Sequence, residues 1–153
     1  TITAGNASKL SDGACFLILA SEKFVKENNL SPLAEIINYD LSVGLPENFP
    51  LVPVQSINNL CKKENLDLNN IDYFEVNEAF AIAPIMVHKK LNIPYSKLNV
   101  FGGAISMGHP LGCSGARIIC TLINVLNCMN GKVGCASICN GGGGATSLLI
   151  RKI

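Results

Sequence analysis

The chain has 153 residues, 48% hydrophobic and 15% charged, enough apolar material for one real core and too much for a disordered tail. Twelve basic against eleven acidic residues leave a formal charge of +1, and Trp is absent, which argues against a nucleic-acid surface, an anionic-membrane surface or a base-stacking platform. No apolar run reaches the length of a membrane span, and seven cysteines without a C-x-x-C pair, beside only two histidines, suit free thiols in a reducing compartment better than zinc or a disulfide framework.

The polar opening lacks an initiator Met and reads as the interior of a larger protein. "ACFLILA" (14–20) is short and continuously apolar, which predicts a buried strand. "SEKFVKENNL" (21–30) starts on Ser, has helical spacing and stops before Pro32. "LAEIINYDL" (33–41) predicts a second strand, and the three prolines of "SVGLPENFPLVP" (42–53) a loop. In "PVQSINNLCKKENL" (53–66), Val54, Ile57, Leu60 and Cys61 recur at helical intervals, as in an amphipathic helix. "IDYFEVN" (71–77) alternates as a strand, and "EAFAIAPIMVHKKL" (78–91) then changes to helical spacing. A short strand is expected at 99–101, ahead of the glycine-rich "GGAISMGHPLGCSG" (102–115). "ARIICTLINVLNCMN" (116–130) is apolar for about four turns, which predicts a buried helix ended by Gly131. "KVGCASICN" and "ATSLLIRKI" predict two closing strands joined across Gly141–Gly144. Alternating strands and helices that close on a hairpin predict an α/β layered fold, a mixed β-sheet covered by helices.

Three strand ends in this order carry unusual residues, and α/β folds place their chemistry at strand ends. Cys139 ends an apolar run and meets four glycines, which are entropically costly and let another molecule approach the backbone. A free Cys is most often a small core residue, the expected role of the other six; near a positive charge a thiol becomes a base or nucleophile. No Lys follows the glycines, so a phosphate loop is discounted. His109 sits between Gly108 and Pro110, just before Gly112 and Gly115 open the apolar helix, where unpaired N–H groups and the helix dipole gather. It can be a structural hydrogen-bonder or a proton carrier. His88, beside Lys89 and Lys90, reads as a solvated surface residue. Asn77 and Glu78 fall where strand gives way to helix; capping is the plainer role for Asn77, holding a water or an oxyanion the functional one.

Taken in order, "TAGNAS…DGA" (3–14), "NEAFA" (77–81), "GGAISMGHPLGCSGARI" (102–118) and "CNGGGGA" (139–145) resemble the thiolase family over essentially the whole chain, and within it the acetyl-CoA acetyltransferases. The resemblance implies residues 1–29 as the end of an N-terminal thiolase half and 30–153 as the C-terminal domain. It implies Claisen condensation of two acetyl-CoA to acetoacetyl-CoA, and the reverse thiolysis, through an acyl-cysteine. Cys139 would then be the acid/base at the α-carbon. His109 would activate the nucleophilic cysteine and serve an oxyanion hole, Asn77 would hold that hole's water, and the Gly141 N–H would line the other. Ser8 and Ala4, Ala79 and Phe80 would line the substrate pocket, Ser8 against the pantetheine arm of CoA. No cofactor is implied beyond the CoA thioester substrate. Potassium stays open, because its backbone ligands, near "TAGNA" and Ile105, leave no readable mark. The implied partners are acetyl-CoA and CoA, the N-terminal half of the same subunit, and further copies in a homodimer or homotetramer. Neither nucleic acid nor a membrane is implied, and the setting is intracellular, cytoplasmic or mitochondrial.

Two departures stand out. The family's acyl-accepting cysteine belongs to the N-terminal half and none of these seven sits in its motif, so this chain alone is expected to be inactive. The 42–53 loop is longer than the family's, with Val43 where Met is common, which bears on the pocket wall and acyl-chain preference. A longer-chain 3-ketoacyl-CoA thiolase and a non-catalytic CoA-binding or oligomerisation module are the alternatives. Ketoacyl synthases place His where Cys139 stands, which disfavours them.

Overall fold

A computed structural model describes residues 1–153, with elements α1 (Glu22–Glu27), β1 (Ala34–Val43), α2 (Val52–Lys63), β2 (Tyr73–Val76), α3 (Ile82–Leu91), α4 (Ala104–Met107), α5 (Ser114–Cys128), β3 (Val133–Asn140) and β4 (Gly144–Lys152). The strands form one mixed sheet in the order β1-β4-β3-β2. The β3–β4 hairpin is antiparallel, with Cys139 opposite Ala145, and β1 runs antiparallel along β4. β2 lies parallel to β3, which requires the long helical connection between them. Successive strand residues face opposite sides of a sheet, and β3 and β4 use this alternation to build two cores. Cys135 and Leu149 join Ile57, Leu60, Phe74 and Val87 in the core under α2 and α3; Ala136 and Ile150 join Ile118, Leu122 and Leu126 in the core under α5. The expected α/β layering is thus present.

Several local expectations are corrected. Residues 14–20 form no strand: Phe16, Ile18 and Leu19 are exposed, because no strand of this chain lies alongside to accept their backbone hydrogen bonds. The loop at 42–53 contains a 3-10 turn at Pro46–Leu51, and α2 starts at its end. Residues 99–101 make no strand either. Leu98 forms a single bridge to Phe74, and the Asn99 side chain takes the place of a neighbouring strand by accepting from Val76 N–H (2.7 Å) and donating to Val76 C=O (2.8 Å). One face of α5 is buried; Cys120, Asn124 and Asn127 on the other face are exposed. Its end is set by Asn130 at φ 56°, with Gly131 N–H bonding Leu126 C=O, so Asn rather than Gly takes the left-handed position. All seven cysteines are free, yet Cys15, Cys120 and Cys128 lie outside the core. His88 is half-buried, bonded through Nδ1 to Ile93 C=O at 2.7 Å and stacked on Tyr95, rather than solvated.

Candidate active site

The sheet delivers Cys139 at the last turn of β3, and three loops close around it. The opening segment comes first. Ser8 N–H bonds Ala79 C=O at 3.0 Å and Ala81 N–H bonds Asn6 C=O at 2.8 Å, so residues 6–8 form a short ladder with the "NEAFA" segment. This ladder delays α3 until Ile82; the position before it is Ala81, which provides no side-chain cap, so Asn77 is not an N-cap. The next step of the same segment, Lys9 C=O, accepts from His109 N–H at 2.9 Å. Gly108 sits at φ 95°, and a Cβ there would lie 2.5 Å from Ser11 Oγ, so only glycine lets the two loops touch.

The glycine loop is the second. Asn140 Oδ1 accepts from Gly142 N–H (3.0 Å) and Gly144 N–H (3.1 Å), and Asn140 C=O accepts from Gly143 N–H (3.2 Å). Gly143, at φ 83°, packs backbone to backbone on the proline loop: its C=O accepts from Gly44 N–H at 2.7 Å, and a Cβ would fall 2.5 Å from Gly44 C=O. Gly141 alone of the four opens onto free space and the cleft.

The cleft between these loops has a volume of about 980 Å³. Cys139, His109, Gly141, Ser8, Ala79 and Phe80 all line it. Ala4 does not; it is exposed beside the ladder. Val43 is also turned outward, and the wall on that side comes from Pro46 and Phe49 of the 3-10 turn, with Phe49 edge-on to Phe80 at 5.6 Å between ring centroids. Gly112 and Gly115 also line the cleft, and a Cβ on either would meet nothing within 4 Å. Sequence reasoning missed Phe49, Ile138 and Thr146; Ile138 and Thr146 face the other side of the sheet from Cys139 and meet it only at the strand ends, and nothing local pointed to Phe49.

Asn77 is buried behind this wall, at 1% exposure. Its Nδ2 lies 3.3 Å from His109 Nε2 and its Oδ1 accepts from Arg117 Nη2 at 3.2 Å. His109 Nδ1 meets Ser114 Oγ at 2.6 Å, and Ser114 Oγ donates to Pro110 C=O at 3.1 Å. Burial, then the Arg117 charge, lowers the His109 pKa, so the ring is neutral near pH 7. Burial raises the Cys139 thiol above its ordinary value against a smaller opposing backbone hydrogen bond. No charge of this chain lowers it, and near neutral pH Cys139 is a thiol. No cluster of three His, Cys, Asp or Glu side chains exists to hold a metal ion, and no helix is long and apolar enough to cross a membrane.

The family model described as "Thiolase, C-terminal domain" matches residues 30–152. The acetyl-CoA acetyltransferase of Saccharomyces cerevisiae is 48% identical across 100% of this chain, which covers 39% of that protein. The crystal structure of the Bacillus anthracis acetyl-CoA acetyltransferase superposes with a TM-score of 0.96 at 40% identity, over 99% of this chain and 39% of that one. Human mitochondrial 3-ketoacyl-CoA thiolase in complex with CoA gives a TM-score of 0.90 at 39% identity, over 99% and 39%. The chain therefore spans about two fifths of the length of the relatives it matches.

Proposed function

Because this chain belongs to the thiolase family, carrying its C-terminal domain, we propose that it is the C-terminal region of an acetyl-CoA C-acetyltransferase. Residues 1–29 complete the N-terminal half of the subunit, and 30–153 are the C-terminal half. The observation that carries this reading is the meeting of Cys139, His109 and Gly141 on one cleft walled by Phe80.

An α-proton beside a thioester is weakly acidic, so its removal needs a base at carbon and donors at the developing enolate oxygen. Cys139 exchanges the α-proton. Its thiol proton goes to the CoA thiolate that leaves as the acyl-cysteine forms; the Cys139 thiolate then takes the α-proton to start condensation, and Cys139 returns a proton to carbon in the thiolysis direction. His109 Nε2 takes the proton of the acyl-accepting cysteine, and the imidazolium so formed donates to the thioester oxygen together with a water on Asn77. The Gly141 N–H holds the oxygen of the second tetrahedral intermediate. Ser8 and Ala79 border the path of the pantetheine arm. The aromatic wall of Phe49 and Phe80 favours a short acyl chain over the longer chains of 3-ketoacyl-CoA thiolases. The substrates are CoA thioesters, the partners are the N-terminal half and further copies of the subunit, and the setting is intracellular. Potassium is a variable for the same assay.

The test is made on the full-length enzyme. Acetoacetyl-CoA is expected to be cleaved faster than longer 3-ketoacyl-CoAs, and the 153 residues alone are expected to give no turnover. Cys139→Ser should reduce condensation by about a thousandfold, within the usual worth of a positioned acid–base group. Condensation near the wild-type rate in that variant refutes the role given to Cys139, and a clear preference for long chains refutes the acetyl assignment.

A further inference from the structure

Behind the cleft, four hydrogen bonds join into one chain whose two ends admit only one polarity. Arginine carries donors and no acceptor, so Arg117 Nη2 must donate, and the atom of Asn77 that faces it must be Oδ1. The amide is thereby oriented, and its Nδ2 donates toward His109 Nε2 at 3.3 Å. At the other end Pro110 C=O can only accept, so Ser114 Oγ–H is spent on it and Ser114 Oγ receives the proton of His109 Nδ1. Both ends thus require the same tautomer: Nδ1 protonated, Nε2 a lone pair. An unprotonated Nε2 is what a base at this cleft needs.

The guanidinium has no other assigned work. Its Nε and Nη1 are buried without hydrogen-bond partners, as is Oε1 of the nearby Glu75, and Glu75 belongs to none of the ion pairs of the chain. A cation is buried at some cost, and Asn77 is the only group it bonds.

We propose that Arg117 is a positioning residue of this site, which holds the Asn77 amide in one orientation and so keeps His109 Nε2 unprotonated. The inference rests on the acyltransferase reading for its kinetic consequence, but the tautomer it assigns does not. The charged and titratable groups around His109 are Arg117 on α5, Cys139 on β3, Glu75 and Glu78 at β2 and its end, and Lys9 on the opening segment. Of these, Arg117 is the one whose charge acts on the ring, opposing its protonation. Without Arg117 the amide is free to turn Oδ1 toward Nε2, which then gains stability by holding a proton.

The experiment uses the full-length enzyme with Arg117→Gln and Arg117→Lys. In Arg117→Gln, kcat is expected to fall about 10- to 100-fold, part of the worth of a general base, with KM for the CoA thioester little changed and the acid limb of kcat moved to higher pH. Arg117→Lys, which keeps a cationic donor, should recover part of the rate and return the limb toward wild type. A loss of rate with an unmoved limb, or a lysine variant no better than the glutamine one, overturns the proposal. Nitrogen NMR of labelled histidine provides a readout without turnover. Wild type should show His109 neutral and Nδ1-protonated at pH 7, and the glutamine variant should titrate higher. An Nε2-protonated wild-type ring overturns the proposal even if the enzyme is an acetyltransferase. The expected tautomer in a protein with no acyltransferase activity refutes only the functional reading. If Arg117→Gln does not fold, the lysine variant and the wild-type tautomer decide.

Discussion

Replacing Glu75 by Gln should change how stability depends on pH. Glu75 lies on β2 at 2% exposure, and burial pushes its pKa from an ordinary 4.5 up to about 8. The Arg117 charge opposes that rise and the Glu78 charge adds to it. Between those two values the folded chain holds a proton that the unfolded chain has released. Stability is therefore full below the unfolded value and declines as pH climbs toward the folded one. The gap is worth roughly 5 kcal/mol in total, at about 1.4 kcal/mol for each pH unit. Gln matches Glu in shape and cannot ionise, so Glu75→Gln removes this decline. Urea midpoints, taken for both proteins from about pH 5 to about pH 8, should diverge steadily, with the variant ahead by about 3 kcal/mol after two pH units. Every other titrating group is shared and cancels. Two parallel curves would refute the assignment of a neutral buried carboxyl.

Asn99→Ala should lower the unfolding free energy by about 2–3 kcal/mol, because it strands both polar groups of Val76 and one bond to Glu78; a loss below about 0.5 kcal/mol in a denaturant titration would show that water replaces the side chain. Gly143→Ala should destabilise by at least about 1 kcal/mol through its φ of 83° alone. It should also push the glycine loop off the proline loop, since its Cβ meets Gly44 C=O. Unchanged thermal stability of the variant would contradict that contact.

The reach of the sequence differs from residue to residue. His109, Cys139 and Gly141 stood out because glycine and proline gather around a reactive side chain in each segment, and the fold brings all three to one cleft. Phe49 was hidden because it owes its place to a 3-10 turn between prolines, where neither helical nor strand periodicity exists to be read. Asn77 looked like a cap because strand meets helix there; a backbone ladder from seventy residues away displaced the helix start and freed the side chain. Arg117 was invisible for the opposite reason. It sits in an apolar helical run where an arginine reads as the exposed stripe, and only the tertiary arrangement turns it inward. Residues 14–20 have the composition of a buried strand, but pairing is a property of neighbours and none stands beside them.

The ladder at residues 6–9 also has a mechanical meaning. Within four consecutive residues the backbone grips Ala81 and Ala79 on one side and His109 on the other. The apolar stretch at 14–20 begins only five residues further on. A pull on that stretch therefore reaches the aromatic wall and the imidazole together, through a linkage too short to slacken.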